Sequence, residues 1–510
     1  MQSAALISLT VILMLKLTSA TDESGVHRTN HRLKQESARL LRKGGEDASQ
    51  NYIRGCYFTN WAQYRPGNGK YMPENYQSGL CQYIFYAFGK LNADFTVDQF
   101  EWNDIDVLYP AIMKQKASQP NLKVLLSLGG WNAGTATFKR MAATSANRAK
   151  FISSLVSFLT QNKFDGFDLD WEYPERSDKQ NYVLLCQEIL AKFQQLAKST
   201  GGSRLLFTSA VSANPETVDA GFDVPALAKV FDFINLMSYD YHGAWETQTG
   251  INSPLFPRKE DSSQFKLWNI QASSKYWNDK GMPKEKIIIG LATYGRGWTL
   301  KDAAKTAVGA PASGPSTTTE YLREAGVISY YEVCQKLSSG AKRQWDDESK
   351  TPYVVQGDQW FSYDDVESIT AKINWIKQEK YGGAFVWTLD YDDFLGTFCP
   401  QNNGEKYPLI SLMQKMLGDG YVPPATASTT TAVTPASTTP PATTTTSPAG
   451  PFQCPSDGLF PDPQSCSNYY QCSGGIAFKM NCPTGLMFNP KTSTCDYASN
   501  VDCQVKNNTV

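Results

Sequence analysis

The chain has 510 residues, of which 48 are basic and 49 acidic, so its formal net charge is −1. This balance provides no general attraction to nucleic acid or to an anionic membrane, and it suits a neutral partner. Only three histidines occur, two of them before residue 50, which argues against histidine triads and histidine zinc sites.

The chain begins with a short apolar run over residues 5–15 that ends near Thr18-Ser19-Ala20. An apolar run followed by small residues is typical of a secretory signal peptide, here residues 1–20. The polar stretch 21–52 is then interpreted as a flexible leader. Eleven cysteines fit an oxidising compartment. No later segment is apolar enough to cross a bilayer, so we expect a secreted, extracellular protein.

From residue 53 to about 420, short β-rich runs alternate with amphipathic helical stretches. Such alternation indicates parallel pairing, and eight units predict an α/β fold, a (β/α)₈ TIM barrel. An open doubly wound sheet is the alternative, although no G-x-G-x-x-G follows the first strand. The predicted strands are Arg54–Trp61, Tyr83–Lys90, Lys123–Trp131, Phe164–Tyr173, Leu205–Ala213, Phe233–Asp240, Ile287–Arg296 and Ala384–Tyr391.

The seventh connection, residues 297–363, is too long for one helix and is rich in Gly, Thr, Ser and Tyr. It predicts a small α+β insertion, placed to wall a groove above the mouth of the barrel. Its aromatic residues include Tyr330, Tyr331, Tyr353, Trp360 and Tyr363.

Three acids, Asp168, Asp170 and Glu172, occupy alternate positions of the fourth predicted strand. Because side chains alternate between the faces of a strand, the acids share one face and the apolar residues between them share the other. Neighbouring Cα atoms on one face are roughly 6.6 Å apart, too close for three buried charges. The pattern predicts a shared proton and one acid of raised pKa, as acid catalysis near neutral pH requires. An acidic strand edge or a cation site is the alternative.

Chemistry in such barrels collects at the C-terminal ends of the strands. Aromatic and acidic residues recur there, and they suit a polymer of sugar rings because apolar C–H faces pack on aromatic faces. Core packing is the alternative for each tryptophan. The candidates at these ends are Trp61, Trp131, Asn132, Tyr239, Asp240, Tyr294, Arg296 and Trp387, with Trp245 beyond the sixth strand.

The segment Asp165-Gly166-Phe167-Asp168-Leu169-Asp170-Trp171-Glu172 resembles the D-x-x-D-x-D-x-E signature of family 18 glycoside hydrolases, the chitinases. The resemblance implies a retaining, endo-acting enzyme that hydrolyses β-1,4-linked N-acetylglucosamine polymer. Its partners would be chitin and chitooligosaccharides. Further matches are Tyr57-Phe58-Thr59-Asn60-Trp61, Ser127-Leu128-Gly129-Gly130-Trp131, Met237-Ser238-Tyr239-Asp240, Tyr294-Gly295-Arg296 and Gly382-Gly383-Ala384-Phe385-Val386-Trp387.

By that resemblance, Glu172 protonates the glycosidic oxygen and the 2-acetamido carbonyl of the substrate is the nucleophile. Asp170 orients the acetamido nitrogen, Asp168 shares a proton with Asp170, and Tyr239 bonds the acetamido carbonyl. No metal or cofactor is needed. The implied substrate-binding residues are Tyr57, Trp61, Trp131, Asn132, Asp240, Tyr294, Arg296 and Trp387, the last of them beneath the sugar at the cleavage point.

The same family contains barrels that bind chitin-like sugars without cutting them. A non-catalytic lectin or matrix protein is therefore the alternative function, and the intact Glu172 favours the enzyme. The resemblance also implies the disulfides Cys56–Cys81 and Cys334–Cys399, with Cys186 left as a thiol facing the core. The absence of a long coiled-coil heptad favours a monomer.

The C-terminal part divides at a tract of Thr, Pro, Ala and Ser. This tract, residues 421–451, predicts an extended, O-glycosylated linker. Residues 452–505 hold six cysteines, which predict a small disulfide-stapled module whose pairing the spacing leaves open. Tyr469-Tyr470-Gln471-Cys472 and Cys482-Pro483-Thr484-Gly485-Leu486-Met487-Phe488-Asn489 resemble the peritrophin-A chitin-binding domain, carbohydrate-binding module family 14. The resemblance implies the pairs Cys454–Cys472, Cys466–Cys503 and Cys482–Cys495, with Phe460, Tyr469, Tyr470 and Phe488 as candidate sugar platforms.

Overall fold

The computed structural model describes residues 52–418 and, nearer the C-terminus, 453–455, 458–463, 465–473, 476–482, 486–490, 494–497 and 501. The predicted signal peptide, leader and linker lie outside these residues, except for Tyr52. The described residues form two compact units, one before and one after the linker, and each is treated by itself.

Within residues 52–418, eight parallel strands close into a barrel. Each strand pairs with the next along the chain, and the last pairs with the first. In this ring Gly55 is paired with Phe385 on one side and Tyr83 on the other. The predicted TIM barrel is confirmed, and the open sheet is excluded. The strands are β1 (Ile53–Thr59), β2 (Tyr83–Leu91), β3 (Lys123–Gly129), β4 (Gly166–Asp170), β5 (Leu206–Ser212), β6 (Phe233–Met237), β7 (Ile287–Ala292) and β8 (Gly383–Trp387).

Helices surround the barrel, and Ser145–Gln161 shows why they form. Thr144 caps this helix by accepting a hydrogen bond from the backbone N–H of Asn147. Phe151, Leu155 and Leu159 follow at a spacing of one turn and are buried against the strands. The other outer helices are Tyr109–Lys114, Ala136–Ala142, Lys179–Thr200, Pro215–Gly221, Val224–Leu227, Ile270–Asp279, Val366–Glu379 and Pro408–Leu417.

The two faces of the strands build two separate apolar layers. Outward side chains such as Phe167 and Leu169 pack under the helices, and inward side chains such as Phe85 and Phe385 fill the barrel. Trp171 continues the outward row and stacks on Phe138 with ring centroids 5.4 Å apart. The alternation predicted for the fourth strand is therefore confirmed, and its acids are left facing inward.

The insertion is a second, antiparallel sheet that begins directly after β7. Its first strand, Tyr294–Leu300, pairs with Ala312–Pro315, Val327–Ser329 and Gln359–Ser362, and the sheet continues through Thr351–Gln356 to Lys342–Asp346. The predicted seventh strand therefore breaks at Thr293, because the chain changes sheets there. Tyr294 and Arg296 belong to the insertion and not to a barrel strand.

Four aromatic residues of the insertion are buried in apolar clusters. Tyr330 and Tyr331, on the helix Tyr330–Ser338, are buried, and so are Trp360 and Tyr363. Tyr330, Tyr331 and Tyr363 belong to the cluster that packs under the barrel helices, and Trp360 packs on Trp298 within the insertion, so none of the four rings lines a groove. Two disulfides form as the family resemblance implied, Cys56–Cys81 and Cys334–Cys399, and Cys186 is a buried thiol.

The C-terminal unit contains two small sheets. One consists of Gly458–Asp462, Ser465–Ser473 and Ile476–Asn481, and the other of Leu486–Asn489 and Thr494–Tyr497. Tyr469 stacks on the buried Phe488 with centroids 4.8 Å apart, so these two rings serve the core of the unit.

Three cysteines of this unit, Cys454, Cys466 and Cys482, are disulfide-bonded. The side chains of Cys472, Cys495 and Cys503 lie outside the described residues, so the implied pairing stays a prediction. Among the described residues no helix is both long and apolar enough to cross a membrane.

Candidate active site

The acids of the fourth strand lie at the mouth of the barrel. Asp168 and Asp170 are inward-facing and buried in β4, and Glu172 follows two residues beyond the end of the strand, where it is partly exposed. Asp165 lies at the opposite end of the strand. Its carboxylate is 2.5 Å from Lys116 Nζ and accepts the backbone N–H of Val124 at 2.7 Å, so it anchors the start of β4.

Asp168 is held by hydrogen bonds from four other strands. Oδ2 accepts from Tyr57 Oη and Ser127 Oγ, both at 2.8 Å, and Oδ1 accepts from Thr208 Oγ1 at 2.6 Å. Asn235 Nδ2 donates to Tyr57 Oη at 3.2 Å and to Asp168 Oδ1 at 3.5 Å. Burial raises the pKa of Asp168 and these hydrogen bonds oppose the rise. The carboxyl is therefore a fixed group at the base of the site.

Asp170 is the next inward-facing residue of β4 toward the mouth, and it lacks the hydrogen bonds that hold Asp168. Its Oδ1 is buried and has no hydrogen-bond partner among the described residues. Burial, followed by the charges of Glu172 and Asp168, raises its pKa well above the usual range. A buried acceptor without a donor is costly, so this oxygen is suited to an N–H group that enters the barrel from the groove.

Glu172 also has a raised pKa, at about 7. Burial is the largest cause and the charge of Asp240 adds to it, whereas hydrogen bonds from Tyr173 and the Trp131 backbone lower the value. The pKa of each of the three acids in the row is thus raised above that of an exposed carboxyl. A carboxyl that holds a proton near neutral pH can act as a general acid.

Two glycines allow β3 to approach these acids. A Cβ at Gly129 would lie 1.8 Å from the backbone oxygen of Asp170, and Gly130 has a φ of +78° while its N–H donates to that oxygen at 2.9 Å. The chain then turns through Trp131–Ala133, which places Trp131 and Asn132 at the mouth. Both side chains are exposed.

On the opposite side of the mouth, Asp240 joins the barrel to the insertion. Its Oδ1 accepts from Tyr294 Oη at 2.6 Å and from Arg296 Nε at 2.7 Å, and its Oδ2 accepts from Arg296 Nη2 at 2.7 Å. The preceding residue, Tyr239, is buried and faces Tyr294 with centroids 6.0 Å apart. Charge-assisted bonds of this geometry fix both partners.

Aromatic rings form the floor and rim of the groove. Trp387, at the end of β8, packs on Tyr57 with centroids 5.2 Å apart and on Phe88 at 6.0 Å. Trp61 lies 6.3 Å from Trp387 and stacks on Phe88 at 5.8 Å. Trp131 and Trp245 are 74% and 60% exposed, which is unusual for indoles and suits a ligand with apolar faces.

The structure therefore brings together every predicted site residue of the barrel, with Trp245 at the rim. Sequence reasoning missed Thr208, Asn235, Phe88 and Tyr173. Asn235 carried a usable signal, since it is the one polar residue of the strand Phe233–Met237, whereas the strand of Thr208 also contains Ser209 and Ser212. Phe88 carried none, because the rings on which it stacks, Trp61 and Trp387, are distant in sequence. Tyr173 directly follows Glu172, to which it is hydrogen-bonded.

His242 has a structural role. Its Nδ1 is 2.8 Å from Glu246 Oε2, and its ring packs against Phe265 and Trp268. In the part of the chain that the structure describes, no group of His, Cys, Asp and Glu residues could hold a metal ion.

Residues 53–392 match the profile of glycosyl hydrolases family 18. The chain belongs to that family. Residues 454–503 match the chitin binding Peritrophin-A domain. The relatives of this family 18 chain include a probable endochitinase of Caenorhabditis elegans, which is 46% identical over 489 residues, or 90% of this chain and 79% of the relative.

Two solved structures bear on the activity. An immunomodulatory active chitinase from Trichuris suis is 83% identical, with a TM-score of 0.72, over 72% of this chain and 100% of the other. Human YKL-39, a pseudo-chitinase with retained chitooligosaccharide binding, is 39% identical, with a TM-score of 0.69, over the same shares of the two chains. Both active and inactive barrels thus occur among its relatives.

Proposed function

We propose that the protein is a secreted, endo-acting chitinase that hydrolyses β-1,4-linked N-acetylglucosamine polymer with retention. The observation that carries the proposal is the position of Glu172, at the mouth of the barrel and next in line after the inward-facing Asp168 and Asp170, where burial raises its pKa to about 7. It stands beside Asp170, whose buried Oδ1 has no partner among the described residues, and near the aromatic floor around Trp387.

In the first step Glu172 donates its proton to the glycosidic oxygen as the bond to the leaving sugar breaks. The carbonyl oxygen of the 2-acetamido group attacks the anomeric carbon from the other face and closes an oxazolinium ring. Asp170 Oδ1 accepts the acetamido N–H and balances the positive charge, and Tyr239 Oη donates to the acetamido oxygen. Trp387 supports the apolar face of the distorted sugar.

In the second step water opens the ring, and the Glu172 carboxylate takes its proton. The second inversion restores the original configuration, so the product is a β-anomer. Asp168 shares a proton with Asp170 through the cycle, and the hydrogen bonds from Tyr57, Ser127 and Thr208 keep Asp168 in place. A pKa near the working pH lets Glu172 serve as acid and then as base.

The C-terminal unit would anchor this enzyme to solid substrate. Its match to a chitin-binding domain supports the proposal, and the disulfides fit an extracellular protein. The predicted linker over 421–451 would raise the effective concentration of the barrel at the chitin surface. The predicted signal peptide would direct the chain to secretion.

The second candidate function is a lectin that binds chitin without cutting it. The retained binding of the pseudo-chitinase YKL-39 favours keeping this alternative. Against it stand the intact row of acids and the environment that raises the pKa of Glu172. A lectin has no need of a protonated carboxyl beside the scissile position.

Turnover of chitohexaose by wild type and Glu172→Gln separates the two functions. The control is Glu175→Gln, which alters an exposed glutamate whose carboxylate lies 2.9 Å from Lys139. We expect Glu172→Gln to lose about 10²–10⁴-fold in kcat while it still binds the hexasaccharide, and Glu175→Gln to match wild type. Near wild-type turnover by Glu172→Gln would remove Glu172 as the acid, and binding without turnover by wild type would establish the lectin.

A further inference from the structure

A buried segment after β6, residues 250–253, is hydrogen-bonded to the backbone of the active-site turn. It lies between the turn that carries Tyr239 and Asp240 and the first strand of the insertion. Asn252 and Ser253 are both fully buried, and neither faces the groove. Buried polar side chains require partners, and the partners of these two residues are specific.

Asn252 is bonded to both sides of the mouth. Its Oδ1 accepts the backbone N–H of Asp240 at 3.0 Å, and its backbone carbonyl accepts the N–H of Tyr241 at 3.1 Å. On the side of the insertion, its Nδ2 donates to the carbonyl of Tyr294 at 3.4 Å and its N–H donates to Ser362 Oγ at 2.9 Å. One residue thus fixes the distance between Asp240 and the strand that supplies Tyr294 and Arg296.

Ser253 ties the same turn to a rigid anchor. Its Oγ donates to the carbonyl of Ser238 at 2.8 Å and accepts from Lys372 Nζ at 3.1 Å. Lys372 is wholly buried and lies 2.5 Å from Asp364. Removing one member of such a pair would leave a buried charge alone, so the pair holds its place.

The turn needs this support because Asp240 has an unfavourable backbone conformation. Its φ is +57°, in the left-handed region, which costs energy for any residue other than glycine, although aspartate adopts it more often than most. That conformation aims the carboxylate at Arg296 and Tyr294. The hydrogen bond from the Asp240 N–H to Asn252 is the direct contact that stabilises it.

We propose that Asn252 is a positioning residue of the reaction, which holds the backbone of Asp240 so that its carboxylate faces the groove beside Glu172. The inference rests on the proposed function. Asn252 touches no reacting atom and acts only through Asp240. Its effect on activity should therefore vanish once the carboxylate of Asp240 has been removed.

The test is a double-mutant cycle of Asn252→Ala and Asp240→Asn, measured as kcat/KM on chitohexaose. We expect Asn252→Ala to cost about 10-fold or more in the wild-type background and less than about 3-fold in the Asp240→Asn background. Additive losses would overturn the proposal, because Asn252 would then act on the fold in general.

The matched control is Asn269→Ala. Asn269 is equally buried and lies at the start of an outer helix. Its Oδ1 accepts the backbone N–H of Ala272 at 2.8 Å, and its Nδ2 donates to the Lys266 carbonyl at 3.0 Å. We expect it to lower the melting temperature as Asn252→Ala does while kcat/KM stays within about 2-fold of wild type. Equal loss of activity in both variants would overturn the proposal.

The pH dependence of kcat/KM is a second test of the proposal. The ionisable groups near Glu172 are Asp170, Tyr173, Tyr239 and Asp240, and the charge of Asp240 raises the pKa of Glu172. If Asn252→Ala lets Asp240 move away, the alkaline limb of kcat/KM shifts to lower pH. An unshifted limb together with lost activity would contradict the positioning role.

A replacement variant and a binding measurement cover the cases in which Asn252→Ala does not fold or wild type shows no turnover. If Asn252→Ala does not fold, Ser253→Ala replaces it in the same cycle. Its control is Ser274→Ala, because the Ser274 Oγ donates to the Ile270 carbonyl at 2.6 Å within an outer helix. If wild type binds chitohexaose without turnover, the proposed function fails, and the cycle is measured as Kd. Coupling in Kd would still support Asn252 as the residue that positions Asp240, and additivity would refute it.

Discussion

Arg296 and Asp240 meet across the mouth of the barrel through two parallel hydrogen bonds of 2.7 Å each. The pair joins the insertion to the end of β6, and its acidic member also raises the pKa of Glu172. One carboxylate therefore contributes both to the shape of the groove and to the acidity of the proposed proton donor.

Asp240→Asn should shift the pH dependence of catalysis. The change removes a negative charge that raises the pKa of Glu172, so that pKa should fall below about 7. Glu172 is active when protonated, and the alkaline limb of kcat/KM should move to lower pH. Asp302→Asn, at an exposed position of the insertion, is the control. If the alkaline limb does not move in Asp240→Asn, the charge of Asp240 does not affect the pKa of Glu172.

Tyr57→Phe should slow the reaction without weakening substrate binding. It removes a hydrogen bond that lowers the pKa of Asp168 and leaves Asn235 without its partner at 3.2 Å. We expect kcat to fall by about 10–100-fold, measured on chitohexaose. Tyr109→Phe is the matched control, since its buried hydroxyl has no hydrogen-bond partner among the described residues. Equal kcat for both variants would contradict the role of Tyr57.

Trp245→Ala should weaken the use of long substrates. The indole is largely exposed and backed by Arg296, whose Cζ lies 5.3 Å from the ring centroid. Loss of one stacking contact should raise KM for the hexasaccharide by roughly 5–10-fold, with a smaller effect on the trisaccharide. Trp345→Ala is the control, because Trp345 is also stacked with an arginine, Arg343, but on an edge strand of the insertion. Equal effects on both substrates would place Trp245 outside the binding path.

Truncation after Gly420 should separate solid from soluble substrate. A second binding site helps only where both sites can engage. We expect activity on insoluble chitin to fall several-fold and activity on chitohexaose to stay unchanged, measured at matched enzyme concentration. An equal loss of activity on both substrates would mean that the C-terminal unit is needed for the activity of the barrel itself and not for its attachment to solid chitin.

Much of this arrangement was predictable from the chain because it depends on local rules. Alternation along a strand placed Asp168 and Asp170 on the inward face and Trp171 on the other. The alternation of strands and helices predicted the barrel, and the length of the seventh connection predicted the insertion.

What the sequence did not reveal depends on neighbours far apart in the chain. The predicted seventh strand ran through Arg296, because nothing local marks Thr293 as the point where the chain enters another sheet. Asn235 reaches Tyr57 only because the barrel closes, and Thr208 reaches Asp168 through the register of two neighbouring strands. Asn252 gave no signal either, since its role depends on the left-handed turn at Asp240.

The most direct test follows the products of chitohexaose with time and resolves their anomers. We expect wild type to release short oligomers first as β-anomers, which then mutarotate, and Glu172→Gln to release none on the same timescale. Fresh α-anomers would contradict substrate-assisted retention at this site. Binding by both proteins without any product would show that the barrel is a lectin that has kept its acids.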